Sequence, residues 1–194
     1  MKVQPPTPAR FAPPGKYLWD PWFMGYGEQS HCFFLEATRN GDTEGRTRNL
    51  VSVGHAISKD LYNWNYMGTI LSPGKQGSWD GLSILGGHTI YHDQKFYLFY
   101  TGCSKLNSWT QQIGLAISSD LTFFERFGDG PLLDHKHHNY EFSCADRNPV
   151  EILSAWKDPH VFRDNNQDRW IMIFSAKSNL PGPYNARSEE HTSE

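Results

Sequence analysis

Two aspartates have the residue type and setting to do chemistry. Asp20 sits in Trp19-Asp20-Pro21-Trp22, and Asp158 in Lys157-Asp158-Pro159-His160. A pair of carboxyl groups can divide a reaction between them. One stays ionised as nucleophile or base, and the other is protonated and acts as acid. The competing reading is structural: aspartate before proline is common at turns, because Asp caps nearby amides and Pro presets φ. A third cluster, His135-Lys136-His137-His138, is too tightly spaced for three ligands on one ion, and Lys136 repels cations. It reads as a solvated loop, and no metal site or cofactor is expected. Glu141 and Asp146-Arg147 follow it as weaker candidates for lining a central funnel.

The elements that must position these residues are short strands. Aromatic, strand-like runs recur at His31–Ala37, Lys95–Gly102 and Asp168–Ser175, separated by polar turns. After the first two runs comes an internal repeat. Val53-Gly54-His55-Ala56-Ile57-Ser58-Lys59-Asp60-Leu61 returns about 60 residues later as Ile113-Gly114-Leu115-Ala116-Ile117-Ser118-Ser119-Asp120-Leu121, identical at six of nine positions. A strand apolar on both faces implies sheets stacked on either side of it. The Ser-x-Asp-Leu ending predicts a turn whose side chains bond backbone amides. An aromatic, Trp64 or Phe124, follows each turn. Repeats of this length with about four short strands each are the signature of a β-propeller, and about two and a half copies cannot close one.

Composition agrees and excludes other classes. The 194 residues include 17 Gly, 12 Pro and 14% aromatics, which suits an all-β chain. The formal net charge is −3 with no basic block, so neither nucleic acid nor an anionic membrane is an expected partner. Cys32, Cys103 and Cys144 are odd in number and lack paired spacing, which argues against a disulfide framework. Residues 1–15 read as a proline-rich arm without the apolar core of a signal peptide, so the expected location is cytoplasmic. Residues 187–194, Arg187 to Glu194, break the β pattern. They match the translation of a sequencing-library adapter, and the expectation is an artefact or a disordered tail. Residues 16–186 are the folded domain.

Four stretches in this order resemble the five-bladed β-propeller glycoside hydrolases of families 32, 43, 62 and 68, family 32 most nearly. They are Tyr17 to Phe23, His55 to Trp64, Phe96 to Gly102 and Trp156 to Phe162. The resemblance implies an all-β, five-bladed β-propeller, truncated here to about three blades. It implies hydrolysis of the O-glycosidic bonds of fructosides or related furanosides, with an oligosaccharide or glycoside as partner. Asp20 matches the ionised carboxylate on the inner strand of blade one, and Asp158 the aspartate of blade three that fixes substrate hydroxyls. Lys157 stands where the family has arginine, which removes the planar two-pronged contact.

Trp79-Asp80 and Leu85-Gly86-Gly87-His88 stand where family 32 places a sugar-contacting motif. Glycines there let backbone approach a ligand, and His88 can donate to a hydroxyl; a tight turn into Thr89-Ile90-Tyr91 is the alternative. Trp19, Trp22 and Trp79 are candidates to stack on sugar rings, against the alternative of core packing. The family's general acid is a glutamate well downstream of the blade-three motif, and its place falls past Glu194. Glu189, Glu190 and Glu194 lie in the suspect tail, and Glu141 and Glu151 precede the motif. The chain is therefore expected to hydrolyse little or nothing. Two other readings remain open: a non-catalytic carbohydrate-binding propeller, and an inverting arabinosidase or xylosidase of family 43 type. The oligomeric state is not set by the sequence.

Overall fold

A computed structural model describes residues 11–39, 50–104, 110–133, 156–177 and 186–192, the last seven and Lys177 as backbone only. All the regular structure in these residues is β, and no helix is long and apolar enough to cross a membrane. Three antiparallel sheets form three consecutive blades. The first holds β1 (Lys16–Tyr26), β2 (Gln29–Thr38), β3 (Ser52–Ser58) and β4 (Asn65–Leu71) in sequence order. The second holds β5 (Ser83–His92), β6 (Lys95–Ser104), β7 (Thr110–Ser118) and the two-residue β8 (Glu125–Arg126). The third holds β9 (Trp156–Asp164), β10 (Arg169–Lys177) and β11 (Ala186–Thr192). The first strands β1, β5 and β9 pack side by side in that order.

The backbone of Ala186–Thr192, in the stretch where the sequence leaves the β pattern, pairs with β10 from Lys177 opposite Ala186 to Ile171 opposite Thr192.

Burial explains the aromatic runs. His31 to Ala37 of β2 is buried at every position, because sheet faces are covered on both sides. One core fills the space between the first two blades, with Phe33, Leu35, Val53, Ile84, Leu98, Tyr100 and Phe124 shielded from water. A second joins blades two and three through Ile113, Trp156, Val161, Met172 and Phe174. Each such side chain contributes roughly 1.5–3 kcal/mol when fully buried. The repeat's glycine has a packing cause. A Cβ at Gly54 would meet the Phe34 ring at 2.4 Å, and one at Gly114 would meet the Trp79 ring at 2.5 Å.

The Ser-x-Asp-Leu turns form as their sequence requires. Ser58 Oγ accepts from the amides of Asp60 and Leu61, and Asp60 Oδ1 accepts from those of Tyr62 and Asn63. Ser118 and Asp120 repeat the arrangement with Asp120, Leu121 and Thr122. Leu61 and Leu121 both adopt positive φ, 63° and 66°. The side-chain bonds to four amides in the first turn and three in the second offset the cost of that conformation in a non-glycine residue.

Candidate active site

Both candidate aspartates sit in β-bulges. In β1, Trp19 pairs with Leu35 and Trp22 with Phe33, which leaves Asp20 and Pro21 together opposite Phe34. In β9, His160 pairs with Ile173 and Lys157 with Ser175, which leaves Asp158 and Pro159 opposite Phe174. Proline has no N–H for the ladder, so an Asp-Pro pair inside a strand breaks pairing there. Aspartate tolerates left-handed φ better than most residues, and Asp20 and Asp158 take it at 47° and 55°. A bulge of this kind bends the strand and re-aims its side chain. Asp20 is exposed and the Asp158 side chain half-exposed, so both carboxylates are open to a ligand. Aspartate before proline therefore marks a strand bulge here, where the composition rule alone suggested a turn.

The middle inner strand carries the same irregularity without an aspartate. In β5, Leu85 pairs with Thr101 and Gly87 with Tyr100, so Gly86 is the extra residue. The three bulges hold corresponding places on three adjacent inner strands.

Side-chain bonds fix those strands to one another. Trp22 Nε1 donates to Thr89 Oγ1 at 2.9 Å and joins β1 to β5. The Val161 amide donates to His88 Nδ1 at 3.2 Å and joins β5 to β9, with the His88 and His160 rings 4.0 Å apart. Burial, and secondarily His160, push the His88 imidazole down to about 4, so it stays neutral and able to accept this bond. The Asp158 amide donates to Thr101 Oγ1 at 2.9 Å, and Thr101 Oγ1 donates to the Gly86 carbonyl at 3.0 Å. Lys157 Nζ lies 3.4 Å from Asp158 Oδ2. Both groups are partly exposed, so the pair adds little to stability.

Several expected sugar contacts have other placements. Asp80 is buried: Oδ2 accepts from Arg126 Nε at 2.7 Å and Tyr100 Oη at 3.0 Å, and Oδ1 from Ser78 Oγ at 3.0 Å. Its carboxylate is an internal anchor of blade two, closed to a ligand. Trp79 stacks on Tyr100 at 5.6 Å and fills the room left by two glycines; a Cβ at Gly102 would lie 2.2 Å from its ring. Trp22 is buried and stacked on Phe33 at 5.9 Å. Trp22 and Asp80 are thus placed inside the sheets, and Trp79 is half-buried against the core of blades one and two. His88 is likewise a strand staple whose Nδ1 is already used. Trp19 is half-buried and lines an apolar recess of about 720 Å³ beside blade one, together with Pro21, Phe23 and Trp64.

Three residues to which the sequence analysis gave no such role take part: Gly86 as a bulge, Thr101 as a bridge, and His160 against His88. Gly86 lay inside a stretch singled out for close backbone approach, and Thr101 inside the aromatic repeat strand. Neither residue type signals that role by itself. No cluster of three metal-ligating residues occurs among the described residues. The histidine cluster 135–138, Glu141, Asp146, Arg147 and Glu151 lie outside the described residues.

Comparison with known proteins agrees with this geometry. Residues 10–186 match the Glycosyl hydrolases family 32 N-terminal domain. A probable sucrose-6-phosphate hydrolase of Psychromonas ingrahamii is 30% identical over 128 residues, 63% of this chain and 20% of that protein. An invertase of Wickerhamomyces anomalus is 25% identical over 166 residues, 79% of this chain and 26% of that protein. The chain thus spans about a fifth to a quarter of the length of these relatives. Among solved structures, a Bombyx mori GH32 beta-fructofuranosidase superposes with a TM-score of 0.68 at 21% identity, covering 93% of this chain and 33% of that one. A thermostable family-43 glycoside hydrolase gives 0.65 at 16% identity, covering 92% and 49%. The fold is that of the five-bladed propellers, of which three blades are present, and the chain belongs to glycoside hydrolase family 32.

Proposed function

We propose that this chain supplies the fructoside-binding half of a family 32 glycosidase site, with sucrose or its phosphate as the substrate class. Asp20 is the ionised carboxylate that faces the anomeric carbon, and Asp158 accepts hydrogen bonds from sugar hydroxyls. The observation that carries the reading is the pair of aspartates on matching inner-strand bulges, within a family match that spans nearly the whole chain. The relatives' names supply the substrate class.

Glycoside hydrolysis also needs a protonated carboxyl on the leaving oxygen. None of the inner strands β1, β5 and β9 contains a glutamate. Glu36 is buried under Lys16 and Tyr66, and Glu125 lies on the last strand of blade two. No glutamate stands beside the two aspartates on the described inner strands, and the reading is that this chain binds without turning over.

The test is titration of the purified 194-residue chain with sucrose, followed by amide NMR, beside a sensitive assay for released fructose. Saturable shifts around Asp20 and Asp158 with no release above blank are expected. Loss of those shifts in Asp20→Ala and Asp158→Ala would complete the case. Absence of any sucrose-dependent shift, or a clear preference for xylosides or arabinosides, defeats it.

A further inference from the structure

We propose that Gly86 and Thr101 are positioning residues for Asp158, acting across the seam between blades two and three. The inference rests on the reading of Asp158 as a substrate contact.

Gly86 is the first part of the argument. Its φ is not among the positive values, so nothing in its backbone conformation demands glycine. Space does. A Cβ built at Gly86 would lie 2.7 Å from Asp158 Oδ1, and among the described residues beyond its chain neighbours that carboxylate alone comes within 4 Å of it. The missing side chain is therefore room reserved for one functional group. Gly87 makes a useful contrast. A Cβ there would meet the Phe99 carbonyl oxygen at 2.3 Å, so that glycine serves the sheet's own backbone.

Thr101 is the second part. A bulge takes its extra residue out of the ladder and leaves backbone groups to be satisfied some other way. Thr101 is fully buried on β6. Its hydroxyl accepts from the Asp158 amide and donates to the Gly86 carbonyl. One oxygen thus uses a lone pair on the bulge of β9 and its proton on the bulge of β5. Serine keeps both bonds. Valine, nearly isosteric, keeps the shape and loses both.

The two residues therefore set Asp158 by different means. Thr101 holds its backbone, and Gly86 leaves its carboxylate a place to lie. Because the atom opposing a Gly86 side chain is the end of a short rotatable group, Gly86→Ala moves the carboxylate and spares the fold.

The experiment follows Asp158 directly by NMR in the 194-residue chain, in the wild type and in Thr101→Val, Thr101→Ser and Gly86→Ala. In Thr101→Val the Asp158 amide proton is expected to move upfield and lose exchange protection, while Thr101→Ser restores both. In Gly86→Ala the Asp158 carboxyl carbon signal shifts and the melting temperature stays within about 2 °C of wild type. Sucrose affinity falls about tenfold in Thr101→Val and Gly86→Ala, the loss of one good hydrogen bond's worth of placement. Unchanged Asp158 amide and carboxyl signals in both variants overturn the proposal. A wild-type chain that does not bind sucrose overturns the functional reading instead, and the NMR signals still decide whether Gly86 and Thr101 position Asp158.

Discussion

At Asp80 a carboxylate is buried beside Arg126, Tyr100 and Ser78, and its worth is structural. Removing one partner of such a pair leaves the other uncompensated. Asp80→Ala is expected to cost about 3 kcal/mol, read as a lower urea midpoint with an unchanged slope. Glu36 holds the corresponding place in blade one, accepting from Lys16 Nζ at 2.8 Å, Tyr66 Oη at 2.8 Å and Thr69 Oγ1. Tyr66 pairs with Ala56 in β4–β3 and Arg126 pairs with Ala116 in β8–β7, so the donor comes from the same point of each blade. Asp20 and Asp158 contrast with these two. They are exposed, and the Lys157–Asp158 pair, 3.4 Å apart and partly solvated, is weak. These four carboxylates thus divide into two anchors and two candidates for ligand contact. Neutralising Asp158 as Asp158→Asn is expected to leave the urea midpoint nearly unchanged while sucrose binding is lost. A large drop in stability would instead make Asp158 a structural residue.

Among the elements, the inner strands depend on few cross-links. Trp22 to Thr89 is the side-chain bond that ties β1 to β5. Thr89→Val removes the acceptor and strands a buried indole N–H, so a loss of about 1–2 kcal/mol is expected in denaturant unfolding. The repeated turns behave differently. Two bonds from Asn63, one from the Tyr62 amide and one from the Ser58 hydroxyl hold the Asp60 carboxyl well below the usual carboxylate range. A depressed carboxylate contributes stability at neutral pH and loses it as pH falls through the folded value. Asp60→Asn is therefore expected to lower the melting temperature at pH 7 and to match the wild type near pH 1–2, the difference between two thermal scans. Strand existence and the Ser-x-Asp-Leu turns were legible in the sequence because both rest on local chemistry. The bulges were not, since they require knowing which residue of the next strand lies opposite.

For the molecule as a whole, acid is the expected weakness. His31 Nδ1 and His55 Nε2 lie 2.9 Å apart, buried, with the His55 ring stacked on Phe33 at 4.9 Å. His31 also bonds the Tyr26 backbone, and His55 Nδ1 finds no partner among the described residues. Burial, then the neighbouring His31, push His55 down to about 4, and burial lowers His31 as well. His88 at the seam of blades two and three is also pushed down to about 4. These rings fold neutral and unfold into groups that bind protons more readily. Their contribution is complete above about pH 6.5 and is lost as pH falls towards 4. For His55 the loss is about 2–3 kcal/mol once screening is allowed for. Urea midpoints from pH 7 to pH 4 should fall steadily, and His55→Gln should flatten the fall. A flat profile in the wild type would show that the pair is already solvated.

The sequence by itself determined the family, the all-β architecture, the repeat and the two Asp-Pro sites. Those properties are written in residue types at short range: alternation, turn chemistry and proline's missing N–H. It also showed that the chain covers about three blades, since each blade announces itself by its aromatic run. Only the tertiary structure decided which polar and aromatic residues are open to a ligand. Trp22 and Asp80 are buried only once the facing sheet is present. Gly86 and Thr101 look unremarkable until blade three brings Asp158 against them. It likewise placed Arg187 to Thr192 in a strand, because pairing along β10 depends on a neighbour's free edge and hardly at all on the side chains of the strand that joins it. Burial and cross-sheet opposition are relations between segments far apart in the chain, and no local pattern carries them.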